Sequence, residues 1–215
     1  MDQGNSGDGM AWLRGAVDRQ DLAALDKLGT NRQRPGVRIP LDQSATDALS
    51  PVTRLIQNLD RDMVPVRLIA FDKTPETNWV LPWHQDRVIA VDAKHDVSGF
   101  HNWSRKHGVW HCEPPISLLK HMLFVRVHLD DSGAETGAME IAAGSQNAGR
   151  VPAEDAETVA NSYAHHICTA QRCDILVLNM LTLHRSFPAA MPTTRRVLRI
   201  DYAAADLPTP LVWAK

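Results

Sequence analysis

The sequence predicts a mainly β domain, a sandwich or barrel of jelly-roll type with helices at its N-terminal end. After Pro65 the chain breaks into about eight short runs rich in Val, Ile and Leu, bounded by turn residues such as Asp131-Ser132-Gly133, Gly144-Ser145, Pro188 and Pro192. Before Pro65 the apolar residues recur at helical steps instead. The length, 215 residues, suits one domain with its own core, and no repeat, low-complexity tract or linker divides it.

Taken in order, residues 1–9 are rich in Gly, Asp and Ser and read as a frayed end. Trp12, Leu13, Val17, Leu22, Leu25 and Leu28 predict a helix that Gly29 stops. Residues 30–44 read as loop, and a second helix is expected over 45–59 on Leu49, Val52, Leu55, Ile56 and Leu59. The expected strands are 66–71, 88–91, 121–129, 139–142, 164–168, 174–178, 182–187 and 196–202. Between them, 92–115 holds Gly99, Gly108 and Pro114-Pro115 without periodicity and reads as a functional loop or lid. The reading is thus a single domain over 1–215, with a helical part at 10–60 and a β core at 66–203.

Composition removes other classes. A hydrophobic fraction of 44% and a charged fraction of 22% exclude a disordered chain, a collagen repeat and a coiled coil. No apolar stretch approaches the ~20 residues that span a bilayer, so no membrane partner is expected. Met1-Asp2-Gln3-Gly4 has neither the basic nor the apolar segment of a secretory signal. A net charge of −2 without a basic stripe gives no reason to expect nucleic acid. Cys112, Cys168 and Cys173 are too few and too irregular for a disulfide framework or a Cys-x-x-Cys zinc site. A reducing cytoplasm is the expected compartment. No feature specifies an oligomeric state. Ten histidines are the unusual count, and they point to metal or proton chemistry.

His84-Gln85-Asp86 sits at the start of a strand-like run, and residues i and i+2 of a strand share a face. An imidazole and a carboxylate would project together there. A second histidine would complete the facial triad that holds non-haem Fe(II) and leaves positions open for co-substrate and oxygen. The spacing alone is weak, since about one His-x-acid match is expected by chance. The chain has His111-x-Glu113 and His128-x-Asp130 as well. His184 closes the apolar run Asp174 to Leu183, and a histidine at the end of such a segment is well placed to enter a barrel interior. Arg195 follows it by eleven residues and opens a strand, where a fixed guanidinium suits a bidentate clamp on a carboxylate.

The stretch Asn78-Trp79-Val80-Leu81-Pro82-Trp83-His84-Gln85-Asp86 resembles the iron-binding segment of the phytanoyl-CoA dioxygenase family. Leu129-Asp130-Asp131, Gly137-Ala138-Met139-Glu140 and Ala143-Gly144-Ser145-Gln146 resemble its middle segment, and His184-Arg185-Ser186 with Arg195 its distal segment, all in family order. The resemblance covers about 66–203. It implies a double-stranded β-helix (jelly-roll, cupin-like) core and an Fe(II)- and 2-oxoglutarate-dependent oxygenase that uses O2 and releases succinate and CO2. It implies that His84, Asp86 and His184 bind iron and that Arg195, assisted by Ser186, binds the distal carboxylate of 2-oxoglutarate. It makes His128-x-Asp130 part of the mid-domain strand and turn. Thr136 stands where the family usually has Asn, Ala143 and Gln146 replace Pro and His, and Cys173 stands where Gly usually opens the strand before the distal histidine. The carboxylate at 86 argues for hydroxylation, since halogenases of this superfamily carry a small residue there.

Further candidates surround these. Arg196 shares a strand face with Leu198, Ile200 and Tyr202, which favours its burial, whereas the family spacing favours Arg195 as the clamp. An inward Arg195 brings Arg199 inward too, toward an acidic substrate. Arg126 and His128 share one strand face and could line a pocket, as could Trp110 and His111 from the long loop. Asn78 could touch 2-oxoglutarate. For Lys73, turn chemistry in Asp72-Lys73-Thr74-Pro75 is the better reading. The expected substrate is a small molecule. Rival readings are a non-catalytic ligand-binding module and a cupin-like metalloenzyme that does not use 2-oxoglutarate, both on the same fold.

Overall fold

A computed structural model describes residues 7–29, 36–191, 194–204 and 206–215. Its first half runs β1 (Met10–Leu13), α1 (Arg19–Gly29), β2 (Val37–Ile39), α2 (Gln43–Gln57), β3 (Val64–Lys73), β4 (Leu81–His84), β5 (Ile89–Val91), β6 (His101–Lys106) and β7 (Val109–Glu113). Then follow α3 (Ile116–Lys120), β8 (Met122–His128), β9 (Met139–Ala143), α4 (Ala156–Ala160), β10 (Ala164–Ile167), β11 (Ile175–Asn179), β12 (His184–Ser186) and β13 (Arg195–Ala203). The large sheet has the order β1-β11-β8-β13-β3-β2, the small sheet β10-β9-β12-β4, and a third sheet β5-β7-β6. The strand pairs are antiparallel. This is the expected jelly-roll core.

Period-two alternation divides the large sheet into two buried faces. On the outer face, Leu68, Ala70, Val125, Val127, Leu198 and Ile200 pack on Leu22 and Leu25 of α1 and on Leu49, Val52 and Ile56 of α2. The helical spacing of those residues makes the apolar stripe, and the Asp42 carboxylate caps α2 by accepting from Ala45 N at 2.8 Å. Leu49 is fully buried, and its truncation to Ala would cost about 2–5 kcal/mol. On the inner face, Phe124, Leu176 and Leu178 meet Met139 and Ile141 of the small sheet and Ile89, Val91 and Cys112 of the third.

The N-terminal part is less helical than its spacing predicts. Trp12 and Leu13 lie in β1, paired with Leu176 and Ile175, and α1 starts only at Arg19. Gly15, at φ 56, turns the chain between them. Strand pairing here overrides local helix pattern. Of the expected frayed segment, residues 1–6 lie outside the described residues, as do 30–35 of the expected loop. Gly7, Asp8 and Gly9 are instead tied down: their carbonyls accept from Gln146 Nε2, Gly144 N and Asn179 N.

The segment 92–115 is not an aperiodic lid. Most of it is the β6–β7 hairpin, with Lys106 opposite Val109 and β7 paired to β5. His107 (φ 49) and Gly108 (φ 83) form its two-residue turn, the conformation that Asn-Gly usually supplies.

Candidate active site

β4 and β12 are neighbours in the small sheet, and their register places His184 directly opposite His84. The Nδ1–H of His84 donates to Pro82 O at 2.8 Å, and that of His184 donates to Thr182 O at 2.9 Å. Each ring therefore turns Nε2 toward the other, and the centroids are 4.3 Å apart. Asp86 lies beyond the end of β4, so its approach owes nothing to strand alternation, contrary to the i, i+2 expectation. It is set by Gln85. That carboxamide donates to Gly149 O and Leu181 O at 2.8 and 2.7 Å and accepts from Val151 N at 2.9 Å, which pins the bend between the two candidate ligands.

The ligand atoms of His84, Asp86 and His184 lie within 4.8 Å of one another, with Asp86 Oδ2 3.1 Å from His184 Nε2. Arg199 Nη1 reaches the same carboxylate oxygen at 2.5 Å and is itself held by Asp201 at 2.8 Å. Burial pushes the Asp86 carboxyl up, but Arg199, His184 and His84 together outweigh it and hold it well below the usual carboxylate range. Burial, and then His184, lower His84, which keeps its imidazole neutral. Two imidazole nitrogens and one carboxylate are the donor set that Fe(II) takes in a facial triad.

The triad opens on a cavity of 260 Å³ between the large and small sheets. Arg126 of β8 and Arg195 of β13 stand in its wall, each less than a tenth exposed. Neither makes an ion pair with a carboxylate among the described residues, and the Nε of each has no hydrogen-bond partner. Burial lowers Arg195 to about 10; burial, then Arg195 and other charges, lower Arg126 to about 9. Two buried guanidiniums without a counter-charge are costly unless an anion joins them. Beside them Ser186 accepts from Lys73 Nζ at 3.2 Å, and Lys73 also donates to the carbonyls of Trp79 and Phe187. Gly137, at φ 68, lets its backbone pass this group: a Cβ there would sit 2.7 Å from Phe187 O and 2.9 Å from Lys73 Nζ.

The family model for phytanoyl-CoA dioxygenase matches residues 8–197. The chain belongs to the phytanoyl-CoA dioxygenase family. Membership places it among the Fe(II)- and 2-oxoglutarate-dependent oxygenases. No curated protein matches its sequence. Among solved structures, AviO1 from Streptomyces viridochromogenes Tue57 is 20% identical, with a TM-score of 0.63 over 94% of this chain and 93% of that one. HygX from Streptomyces hygroscopicus, solved with nickel and 2-oxoglutarate bound, is 17% identical, with a TM-score of 0.59 over 98% of this chain and 87% of that one. SnoK, a non-heme alpha-ketoglutarate-dependent carbocyclase from nogalamycin biosynthesis, is 14% identical, with a TM-score of 0.62 over 94% and 81%. These neighbours share the fold.

Within that family frame, the structure brings His84, Asp86, His184, Ser186, Arg126, Arg195 and Arg199 to one cavity. Arg196 points to the other side of β13, where it pairs with Asp130 and Asp26. His128 lies on the inner face but outside the cavity lining, and both its ring nitrogens lack partners. Asn78 does not line the cavity: its carboxamide is spent on the backbone N and O of Ala189. Trp110 packs against Trp103 at 6.4 Å, and His111 lines a different cavity, so neither faces the triad. Lys73 is the residue whose setting differs most from the turn reading. It is fully buried as the last residue of β3, and the inward series Arg67, Ile69, Phe71, Lys73 was the signal for it.

Proposed function

We propose that this oxygenase hydroxylates a small molecule, with His84, Asp86 and His184 holding Fe(II) and Arg195 holding the distal carboxylate of 2-oxoglutarate. One observation supports this reading above others: a three-donor centre faces two buried arginines that pair with no carboxylate among the described residues. When bound, Fe(II) with 2-oxoglutarate and O2 supplies the oxidation, delivering one oxygen atom to substrate and one to succinate as CO2 leaves.

The chain's own residues do the positioning. Pro82 O and Thr182 O fix the tautomers that aim both Nε2 atoms at the metal. Arg199 orients Asp86 and keeps it ionised. Arg195 offers N–H donors to a carboxylate with Ser186 beside it in the cavity wall, while Lys73 spends its three N–H groups on Trp79 O, Ser186 Oγ and Phe187 O and so fixes that serine. Arg126 adds a second positive charge for the dianion. Among the described residues no helix is long and apolar enough to cross a membrane, and the three cysteines are unpaired.

The test is anaerobic titration of the protein with Fe(II) and 2-oxoglutarate, following the weak visible charge-transfer band of the chelate. Wild type should show the band, Arg195→Ala should need at least tenfold more 2-oxoglutarate, and Asp86→Ala should lose it. A folded, iron-holding wild type without a band would support the cupin-like reading, and a protein that holds no iron would support a binding module.

A further inference from the structure

A second cavity, of 450 Å³, lies beside the first. The two share one wall, made by Arg67, Ile69 and Phe71 of β3. Its floor continues the inner face of the large sheet to the edge strand β2. Arg38 is the register partner of Ile69, and residues directly opposite in an antiparallel pair project to the same side. Its roof is the β6–β7 hairpin, which contributes Lys106, His107, Val109 and His111. The left-handed backbone at His107 and Gly108 makes the tight turn there.

The lining has a marked chemistry. Arg38, Arg67, Lys106 and Lys215 line it, no aspartate or glutamate is among the described residues that do, and Arg38 Nη2 donates to Ala214 O at 3.0 Å. Arg38 Nη1 and Arg67 Nε are buried without a hydrogen-bond partner. Burial and then Arg67 depress the Arg38 guanidinium, while burial followed by Arg67 holds His111 down to about 4, with Arg38 and Lys106 adding to it. These groups are thus close enough to repel one another. Among the described residues Arg67 pairs with Asp201, 3.6 Å from its Nη1, and that carboxylate is already bonded to Arg199 at 2.8 Å. Between the basic groups, Ile69, Phe71 and Val109 supply an apolar stretch. A cavity of this kind fits a ligand with an apolar body and one anionic end.

We infer that the substrate is an elongated acid that spans both cavities: its oxidised carbon lies at the triad, its apolar body crosses Ile69 and Phe71, and its carboxylate or phosphate sits among Arg38, Arg67 and Lys106. The inference rests on the proposed oxygenase reading for which end is oxidised, and it adds the class of substrate. The ends are distinguishable because Arg126 and Arg195 lie at the first cavity only, and Arg38 and Lys106 at the second only. Arg67 stands at the junction, joined through Asp201 and Arg199 to Asp86.

The test is calorimetric titration of the Ni(II)-loaded protein, saturated with 2-oxoglutarate, with four probes that share a naphthyl body. They are 1-naphthaleneacetate, 1-naphthyl phosphate, neutral 1-naphthaleneacetamide and cationic 1-naphthylmethylamine. At least one anion should bind tenfold or more tightly than the amide, and which anion it is separates a carboxylate substrate from a phosphate one. Arg38→Gln combined with Lys106→Glu should invert the order so that the amine binds more tightly than either anion. A misfolded variant cannot give that gain. Equal binding of amide and anions, no binding of any probe at millimolar concentration, or an unchanged order in the variant would overturn the inference. Repeating the titrations without Ni(II) and 2-oxoglutarate separates the two readings. If 2-oxoglutarate fails to bind, the oxygenase reading falls, yet the charge preference of the second cavity is still measured.

Discussion

His84 and His184 face each other across the β4–β12 ladder, ring centroids 4.3 Å apart, and each gives its Nδ1–H to the carbonyl two residues earlier. Two distant segments of sequence thus meet as a matched pair of Nε2 donors. The third donor, Asp86, has no strand to hold it and depends on its neighbour.

Gln85 is that neighbour, and its role is one of positioning. Gln85→Leu removes three hydrogen bonds from the bend that carries Asp86. Fe(II) affinity should fall about 10–100-fold, the usual effect of losing an outer partner of a metal site. Gln85→Glu should not recover it: one carboxylate oxygen still accepts from Val151 N, but the other faces the acceptors Gly149 O and Leu181 O. Competition with a metallochromic chelator measures this. An unchanged affinity in Gln85→Leu would show that the backbone alone holds Asp86.

Cys173 occupies a left-handed backbone position, φ 79, just before β11, where the family usually has Gly. Its N–H donates to His128 O at 3.0 Å and its carbonyl accepts from Val17 N, so the turn cannot relax. A side chain there costs about 1–2 kcal/mol, and Gly gives back about 0.5–1 through the freer unfolded chain. Cys173→Gly should therefore raise stability by roughly 0.5 kcal/mol and Tm by about 1–2 °C. Cys173→Ala, which keeps a Cβ, should not raise Tm. Differential scanning calorimetry of the pair separates backbone strain from loss of the thiol.

The sequence made the triad legible because its three residues sit in two recognisable segments. Alternation alone does not separate Arg195 from Arg196, because it offers only a choice between a buried and an exposed face. Both faces of β13 are in fact buried: Leu198, Ile200 and Tyr202 under the helices, Arg195 and Arg199 in a polar interior. A barrel that must hold an anion reverses the usual rule that the polar face is the outer one. The β6–β7 hairpin stayed hidden because His107 takes the turn position that Asn usually marks. Lys73 stayed hidden because its partners Trp79, Ser186 and Phe187 come from two other segments, which only the fold brings together.

His128 gives the fold a predictable acid sensitivity. It is 2% exposed, and burial, then Arg126 and Arg195, depress it to about 3, against about 6.5 in an unfolded chain. Between those values the unfolded chain binds a proton that the folded one refuses, so stability rises with pH from about 3 to 6.5 and is lost as pH falls below 6.5. At pH 7 the term is nearly absent, and at pH 5 it amounts to about 2 kcal/mol. His128→Leu removes both unpartnered nitrogens and the proton site. Urea melts at pH 7 and pH 5 should show that this variant loses less stability on acidification than wild type. A parallel loss in both would place the acid sensitivity elsewhere.

Arg199 is shared between Asp86 and Asp201, at 2.5 and 2.8 Å, and its guanidinium lies 4.3 Å from the Phe124 ring centroid. Arg199→Met keeps the contact with Phe124 but leaves Asp86 without its guanidinium partner, and Asp201 with Arg67 alone at 3.6 Å, in a largely buried setting. Breaking a buried ion network in this way costs about 3–5 kcal/mol, so the metal-free variant should melt well below wild type. A divalent metal replaces the missing charge at Asp86 only in the variant, because in wild type Arg199 already neutralises it. Ni(II) should therefore raise the Tm of Arg199→Met by more degrees than that of wild type, and the difference should vanish in Arg199→Met/Asp86→Asn. Equal metal-induced shifts in all three proteins would mean that Arg199 and the metal do not share Asp86, and the orienting role given to this arginine would fall with them.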